Sequence, residues 1–549
     1  MTFSNFNRAP CKFSAPSGDA VLSHPDDEMA LIDATFTIKL PPIPPPNAPA
    51  TITIVASNVT HVVNPLFLGC HIDPGYAQEP RGWYSQLLYG ESFEKGTTNV
   101  YAWNNITSIS VKAKIILDAD VLFNPHNQTP SLSVKYIVGK GAAGWSNRGI
   151  GNEGLSLDQG KEYDGYVFVL APFGGDLWIA LNNYVNNTIL NSTIIPLTPS
   201  IKWQQISFAL TPNAFTACAG INHTEAVGRN IDCGNFGMNP GHICVQCSGE
   251  FQVGLASPGA IHIGYAFLQP GTWGRLNALP VLRSAASTIQ QMGMRVIRQG
   301  GTVSRTFRWK HWRGAPWNRA SMQHVWGDSL VGGWGPFEFI DMCNALNIVP
   351  VITLAYDLNS VADWADLVEY TWGDETTKWG RVRIVNDSHP SVYNISIFEL
   401  GNEQANPHFV AQVTAMEKKR KSPGILAPLL TYLYPTNNGV TRFDVELLSI
   451  EEVSPVHIAP DCHVGGGGGI DCATSDFHQF PKFSQSFINC ETNAGISTFE
   501  RAMMEAADLQ TWFNFGQKKG EIPSRLIART ASFCTERSGH FDAYDQGIR

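Results

Sequence analysis

"PVLRSAASTIQQMGMRVIRQGG", residues 280–301, reads as a helix followed at once by a strand. Val281, Leu282, Ala285, Ile289 and Met292 recur at helical spacing and define one apolar face. Pro280 suits a first turn, where an amide donor is not needed, and Gly293 suits the cap, where the chain turns left-handed. "MRVIRQGG" then reads as a strand. The same unit recurs downstream. "GPFEFIDMCNALN" (335–347) spaces Phe337, Ile340, Cys343 and Leu346 along a helix, and "IVPVITLAY" (348–356) is its strand. "SVADWADLVEYTWG" (360–373), the strand "ISIF" (Ile395–Phe398), "PHFVAQVTAMEKKRK" (407–421) and "ILAPLLTYLY" (425–434) continue the series. "SQSFINCE" (484–491), the helix "STFERAMMEAADLQTWFNF" (497–515) and the strand "SRLIARTASF" (524–533) extend it. Alternation over this length predicts an α/β fold, a (β/α)8 TIM barrel. A doubly wound sheet also alternates, but no glycine fingerprint opens the first unit.

Upstream the texture changes. From residue 95 to 267, short alternating runs such as "SLSVKYIV" (131–138), "YDGYVFVLA" (163–171) and "WQQISFAL" (203–210) lie between turn signals with no helical period. That pattern predicts an inserted β-sandwich. Before it, "TITIVAS" (51–57) and "PLFLGCHID" (Pro65–Asp73) read as strands, and residues 1–49 close in "LPPIPPPNAPA", a stiff linker. The expected organisation is a Pro-rich segment (1–49), an N-terminal strand with the first barrel strand and helix (50–94), the sandwich (95–267) and the rest of the barrel (268–549).

Composition excludes several classes. The net charge is −9 and no basic block occurs, which argues against nucleic acid. No run of eighteen apolar residues occurs, so no membrane span is expected. The N-terminus lacks the apolar core of a signal peptide. Asn-x-Ser/Thr triplets begin at Asn58, Asn105, Asn127, Asn186, Asn191, Asn222, Asn386 and Asn394, which favours a secreted glycoprotein. The eleven cysteines fit the same setting: Cys218, Cys233, Cys244 and Cys247 cluster, Cys462 and Cys472 flank a glycine run, and all read as disulfide partners. A zinc site on the "CVQC" pair (244–247) with His242 is the rival reading. Cys343 and Cys490 read as buried, inert thiols. No metal constellation with convincing spacing appears in the barrel region, and no cofactor is implied.

The chemistry is suggested by "ELGNEQANP", Glu399–Pro407. Glu403 follows the strand "ISIF", which places it at the carboxyl end of a barrel strand, where barrel enzymes keep their active sites. Glu491 ends "SQSFINC" in the same way. Two carboxylates in one mouth are what glycoside hydrolysis requires: one protonated to donate to the leaving oxygen, one ionised to attack the anomeric carbon. A solvated loop carboxylate is the bland alternative for either.

"SIFELGNE" resembles the acid/base strand of the large clan of retaining glycosidases built on α/β barrels. Longer stretches resemble glycoside hydrolase family 51, the α-L-arabinofuranosidases: "VNPLFLGCHIDPGYAQEPRGWYSQLLYGESFE" its first barrel strand and helix, "RGIGNEGLSLDQGKEYDGYVFVLA" the carbohydrate-binding sandwich of its plant-type members, and "DWADLVEYTWGDETTKWGRVRIVNDSHPSVYNISIFELGNE" its approach to the acid/base. The resemblance implies Glu403 as acid/base, Glu491 as nucleophile, and Asn402 holding the sugar 2-hydroxyl. Asp73 stands where the family has a substrate-binding glutamate. Arg298, in "RQGGT", stands near the arginine of the family's R-x-P-G-G-N motif, without that proline and with Thr302 for the asparagine. His463 is the best match for a sugar-binding histidine, with His457 competing.

The implied activity is that of a secreted retaining glycosidase acting on a polysaccharide or glycan, an α-L-arabinofuranosidase in the first place. The departures at Asp73 and beside Arg298 keep open a related specificity, β-glucuronidase-like or endo-acting, and a non-catalytic glycan-binding protein is the alternative from another class. Trp309, Trp312, Trp317 and Trp334 read equally as sugar-stacking platforms or as packing. The resemblance also implies a further β-sandwich after the barrel, yet only sixteen residues follow Phe533. The expectation is that this chain is a piece of a longer protein.

Overall fold

The computed structural model describes residues 68–72, 83–93, 103–124, 129–222, 243–319, 322–323, 329–330, 332–435, 450, 453, 457–461, 464–465, 492–493 and 529–530. Seven strands form one parallel sheet: β1 (Leu68–Ile72), β2 (Val296–Gln299), β3 (Val349–Thr353), β4 (Ile397–Glu399), β5 (Thr431–Pro435), β6 (Ile458–Asp461) and β7 (Arg529–Thr530). Their order is β6-β5-β4-β3-β2-β1-β7, so the last strand of this sheet along the chain lies beside its first. Strands in such a sheet are buried on both faces. Val296, Val351, Ile397, Leu433 and Ala459 accordingly share one small apolar cluster.

Helices α1 (Arg283–Gln291), α2 (Pro336–Ala345), α3 (Val361–Trp372) and α4 (Phe409–Arg420) follow the expected series. The predicted residues Phe337, Ile340 and Cys343 in α2, and Leu346 at its cap, are all buried. Ser360 and Asp363 cap α3 reciprocally, Asp363 N donating to Ser360 Oγ at 3.1 Å and Ser360 N to Asp363 Oδ2 at 2.9 Å. Gly293 has φ 70 and ends α1 as expected. The start of α1 differs: Pro280, Val281 and Leu282 precede the helix, because Leu282 N donates to Trp83 O and Val281 bridges Tyr84, an extended pairing that competes with the first turn. The buried residues of the helix itself are Ala286 and Ile289. β4 also differs, beginning at Ile397 and taking Glu399 as its last residue.

Between β1 and β2 the chain forms two five-stranded antiparallel sheets. One orders the strands 103–107, 143–147, 249–255, 175–183 and 188–197; the other orders 112–118, 131–138, 259–270, 163–171 and 200–210. Residues 163–171 alternate strictly, sending Tyr163, Val167 and Val169 into the core shared by the two sheets. The opposite face of that strand carries Tyr166 and Phe168, which meet Trp317 with ring centroids 5.3 and 5.1 Å apart. Trp309, Trp312 and Trp334 are buried in the core around the helices. The four tryptophans therefore serve packing, and the platform reading is set aside for them.

Cys218 and Cys247 form a disulfide across paired strands 218–222 and 243–247. That bond takes Cys247 out of the zinc reading, and no metal-holding group of His, Cys, Asp and Glu occurs among the described residues. Cys343 is buried in α2. Cys233, Cys462, Cys472 and Cys490 lie outside the described residues.

Candidate active site

Arg298 is the centre of the site. It lies on β2 with apolar Val296 and Ile297 before it, and its side chain is fully buried. A buried guanidinium needs partners for its five donors. Nε donates to Glu399 Oε2 at 2.6 Å and Nη2 to Glu399 Oε1 at 3.0 Å. Nη2 also donates to Asn402 Oδ1 at 2.7 Å, and Nη1 lies 3.1 Å from His71 Nε2. Thr353 Oγ1 donates to Glu399 Oε2 as well. Four adjacent parallel strands, β1 to β4, thus deliver His71, Arg298, Thr353 and Glu399 to one point.

Gly300 makes room for this cluster. A Cβ there would stand 2.4 Å from Arg298 Cζ and 2.5 Å from Thr353 Oγ1, so the guanidinium folds into the space a side chain would fill. Gly401 does the same for the loop after β4: φ is 119, and a Cβ would lie 3.0 Å from Tyr356 Cδ1. That loop carries Asn402, which is buried, and then Glu403, which is partly exposed and itself left-handed with φ 50. A left-handed glutamate persists only where its surroundings hold it there. Arg305 supplies part of that hold: Nε and Nη2 donate to Asn402 O at 3.2 and 3.1 Å, and Nη2 lies 3.7 Å from Glu403 Oε2. Asn402 Nδ2 donates to the same Glu403 oxygen at 3.4 Å. Burial, and beyond it the neighbouring Asp461, push the Glu399 pKa up to about 8 against the lowering pull of Arg298.

Of the residues expected from the sequence, the structure brings Arg298, Asn402 and Glu403 together. Asp73, His463 and Glu491 lie outside the described residues; β1 ends at Ile72, one residue before Asp73. His457 immediately precedes β6. Glu399, Thr353, His71, Asp461 and Arg305 were not singled out from the sequence. A signal existed for Glu399 and Arg298: each is a charge inside an apolar strand run, and such charges require partners.

Residues 288–428, which contain the last turn of α1, all of α2 to α4, and Arg298, Glu399, Asn402 and Glu403, match the family model described as Alpha-L-arabinofuranosidase 1 domain. The chain is 23% identical over 345 residues to the extracellular exo-α-L-arabinofuranosidase of Streptomyces chartreusis, covering 59% of this chain and 38% of that protein. It is 28% identical over 142 residues to a probable α-L-arabinofuranosidase C of Aspergillus fumigatus, covering 26% of this chain and 28% of that one. The structure is similar to an arabinose-bound family 51 α-L-arabinofuranosidase with a TM-score of 0.63 and 18% identity, over 86% of this chain and 75% of that one, a likeness of fold. The chain thus spans 38% and 28% of the lengths of these two curated relatives.

Proposed function

We propose that this protein is a retaining glycoside hydrolase, an α-L-arabinofuranosidase that releases arabinofuranose from a polysaccharide or glycan. The observation that carries the reading is the delivery of Arg298, Asn402 and Glu403 to the carboxyl ends of neighbouring parallel strands, within the stretch matched by the arabinofuranosidase family model. Glu403 is the acid/base and Glu491 the nucleophile. Glu491 attacks the anomeric carbon while Glu403 gives its proton to the leaving oxygen; water, deprotonated by Glu403, then releases the sugar from Glu491 with net retention. Asn402, held by Arg298, keeps its amide Nδ2 toward the reacting centre and binds the 2-hydroxyl. Asp73 and His463 complete the substrate pocket.

The fold in this reading is an eight-stranded barrel interrupted after its first unit by a β-sandwich, with the 1–49, 50–94, 95–267 and 268–549 division of the chain. The order of the parallel sheet supports it, because β7 lying beside β1 is what closure requires. The remaining strand would be 484–491, between β6 and β7 in the barrel. Secretion is part of the proposal, supported by the extracellular Streptomyces relative, the Cys218–Cys247 disulfide and the exposed sequon residues Asn105, Asn186, Asn386 and Asn394.

A panel of nitrophenyl glycosides tests the function. Turnover of the α-L-arabinofuranoside by the wild type, abolished in Glu491→Gln, is the expected result. Preferential turnover of a glucuronide or of an internal polysaccharide linkage assigns the other specificity, and no turnover of any glycoside overturns the enzyme reading.

A further inference from the structure

The two five-stranded antiparallel sheets have four outer strands, and an open strand edge is a template for pairing with another chain. Three of the four carry a block against that. Lys112–Asp118 has Lys112 and Lys114, both exposed, and Ser200–Leu210 has exposed Lys202. Thr188–Leu197 has Pro196, which offers no amide. Trp103–Thr107, "WNNIT", has neither charge nor proline. At five residues it is of ordinary strand length and able to pair. It bonds to 143–147 on one side, and among the described residues no strand lies on the other.

What this strand has instead is a sequon. Asn105 and Thr107 are both exposed, and neither side chain has a hydrogen-bond partner among the described residues. Trp103 anchors the strand: it is buried, its Nε1 donates to Gly90 O at 2.9 Å, and its ring meets Phe93 and Phe251 edge-on with centroids 5.3 and 6.5 Å away. The strand is thus fixed from its buried end while Asn105 stands in solvent. Asn191, the sequon residue of another outer strand, is a contrast. It is half-buried, and its Nδ2, the atom that bears a glycan, donates to Thr211 O at 2.6 Å.

We propose that Asn105 carries an N-linked glycan, and that this glycan is the block on the Trp103–Thr107 edge, in place of the lysines and the proline that protect the other three. A glycan is bulky and solubilising, so it keeps a second strand from reaching the open amides. The oligosaccharide comes from a lipid diphosphate donor. Asn105 Nδ2 bonds its anomeric carbon, the bond from that carbon to the diphosphate oxygen breaks, the diphosphate leaves with the electron pair, and Nδ2 gives one proton to the transferase. The proposal rests on the secretion part of the proposed function and not on the glycosidase reading.

The test secretes the full chain from a glycosylating eukaryotic host as wild type, Asn105→Gln, Asn105→Lys and Thr107→Ala. Glycopeptide mass spectrometry maps every sequon, and sedimentation equilibrium gives the average protein mass. A glycan on Asn105 of the wild type, lost in all three variants, is expected. Asn105→Gln and Thr107→Ala leave a bare, neutral edge, so their average mass should rise about twofold, the mass of a pair joined edge to edge. Asn105→Lys also loses the glycan but gains the block used by the other sheet, and should keep the wild-type mass. Equal masses for wild type and Asn105→Gln overturn the edge role. Equal association of the Gln and Lys variants overturns it too, since a glycan that served only folding would be missed alike in both. If Asn105→Gln is not secreted, Thr107→Ala, which leaves Asn105 in place, decides in the same way. Glycans on other sequons with Asn105 bare overturn the proposal and leave secretion standing; no glycan on any sequon overturns both.

Discussion

Arg298 and Glu399 meet in a two-point ion pair, Nε to Oε2 at 2.6 Å and Nη2 to Oε1 at 3.0 Å, with neither side chain exposed. Removing one partner leaves the other fully buried without its counter-charge. Glu399→Ala should therefore destabilise the fold by about 3–5 kcal/mol. The double variant Arg298→Met/Glu399→Leu should cost less than the sum of the two single changes, because it removes both charges together. Denaturant midpoints of the four proteins form the cycle, and strict additivity would show that the pair is not energetically coupled.

Gly300→Ala tests whether the guanidinium must sit where it does. The added methyl would overlap Arg298 Cζ and Thr353 Oγ1, at 2.4 and 2.5 Å, and one of them must move. Overpacking of this kind costs about 1–3 kcal/mol. A displaced Arg298 loses Asn402, so kcat/KM on an aryl arabinofuranoside should drop about tenfold or more, the equivalent of roughly 1.4 kcal/mol. Unchanged kinetics in a folded Gly300→Ala protein would separate Arg298 from catalysis.

The two proposed catalytic carboxylates differ in how they depend on the leaving group. Glu403→Ala should cripple cleavage of poor leaving groups and spare activated aryl glycosides, which need less protonation. Glu491→Ala should abolish both, since attack at carbon is lost. Rates on a nitrophenyl and an alkyl arabinofuranoside check this; equal losses for both variants on both substrates would contradict the roles.

Cys218 and Cys247 close a loop with a sequence separation of 29. A cross-link of that span contributes about 2–4 kcal/mol through the unfolded chain. Cys218→Ser/Cys247→Ser should lower stability by that amount and leave kcat unchanged, because the bond lies in the antiparallel region and touches none of the Arg298 partners. Alkylation followed by mass spectrometry establishes the oxidised pair, and unfolding with and without reductant gives its worth.

Local periodicity carried the sequence a long way. The four helices were legible because a 3.6-residue repeat of apolar side chains is a property of ten or so adjacent residues, and neither Phe337 nor Ile340 needs a distant partner to announce its face. Gly293 marked its helix end for the same local reason. The errors were local competitions lost to distant contacts. Val281 and Leu282 looked helical and pair instead with Trp83 and Tyr84, nearly two hundred residues earlier.

The catalytic reading divides along the same line. Asn402 and Glu403 could be named from an eight-residue string, since a short motif and a preceding strand are adjacent in the chain. What holds them could not. Arg298 reaches Glu399 across 101 residues, Asn402 across 104 and His71 across 227. A charge buried in a strand shows only that a partner must exist, because the free energy of burial demands compensation without specifying its source. The parallel sheet supplied the source: by setting β1 to β4 side by side in register, it brought His71 and Glu399 to within hydrogen-bond reach of the Arg298 guanidinium, and Thr353 to within reach of Glu399.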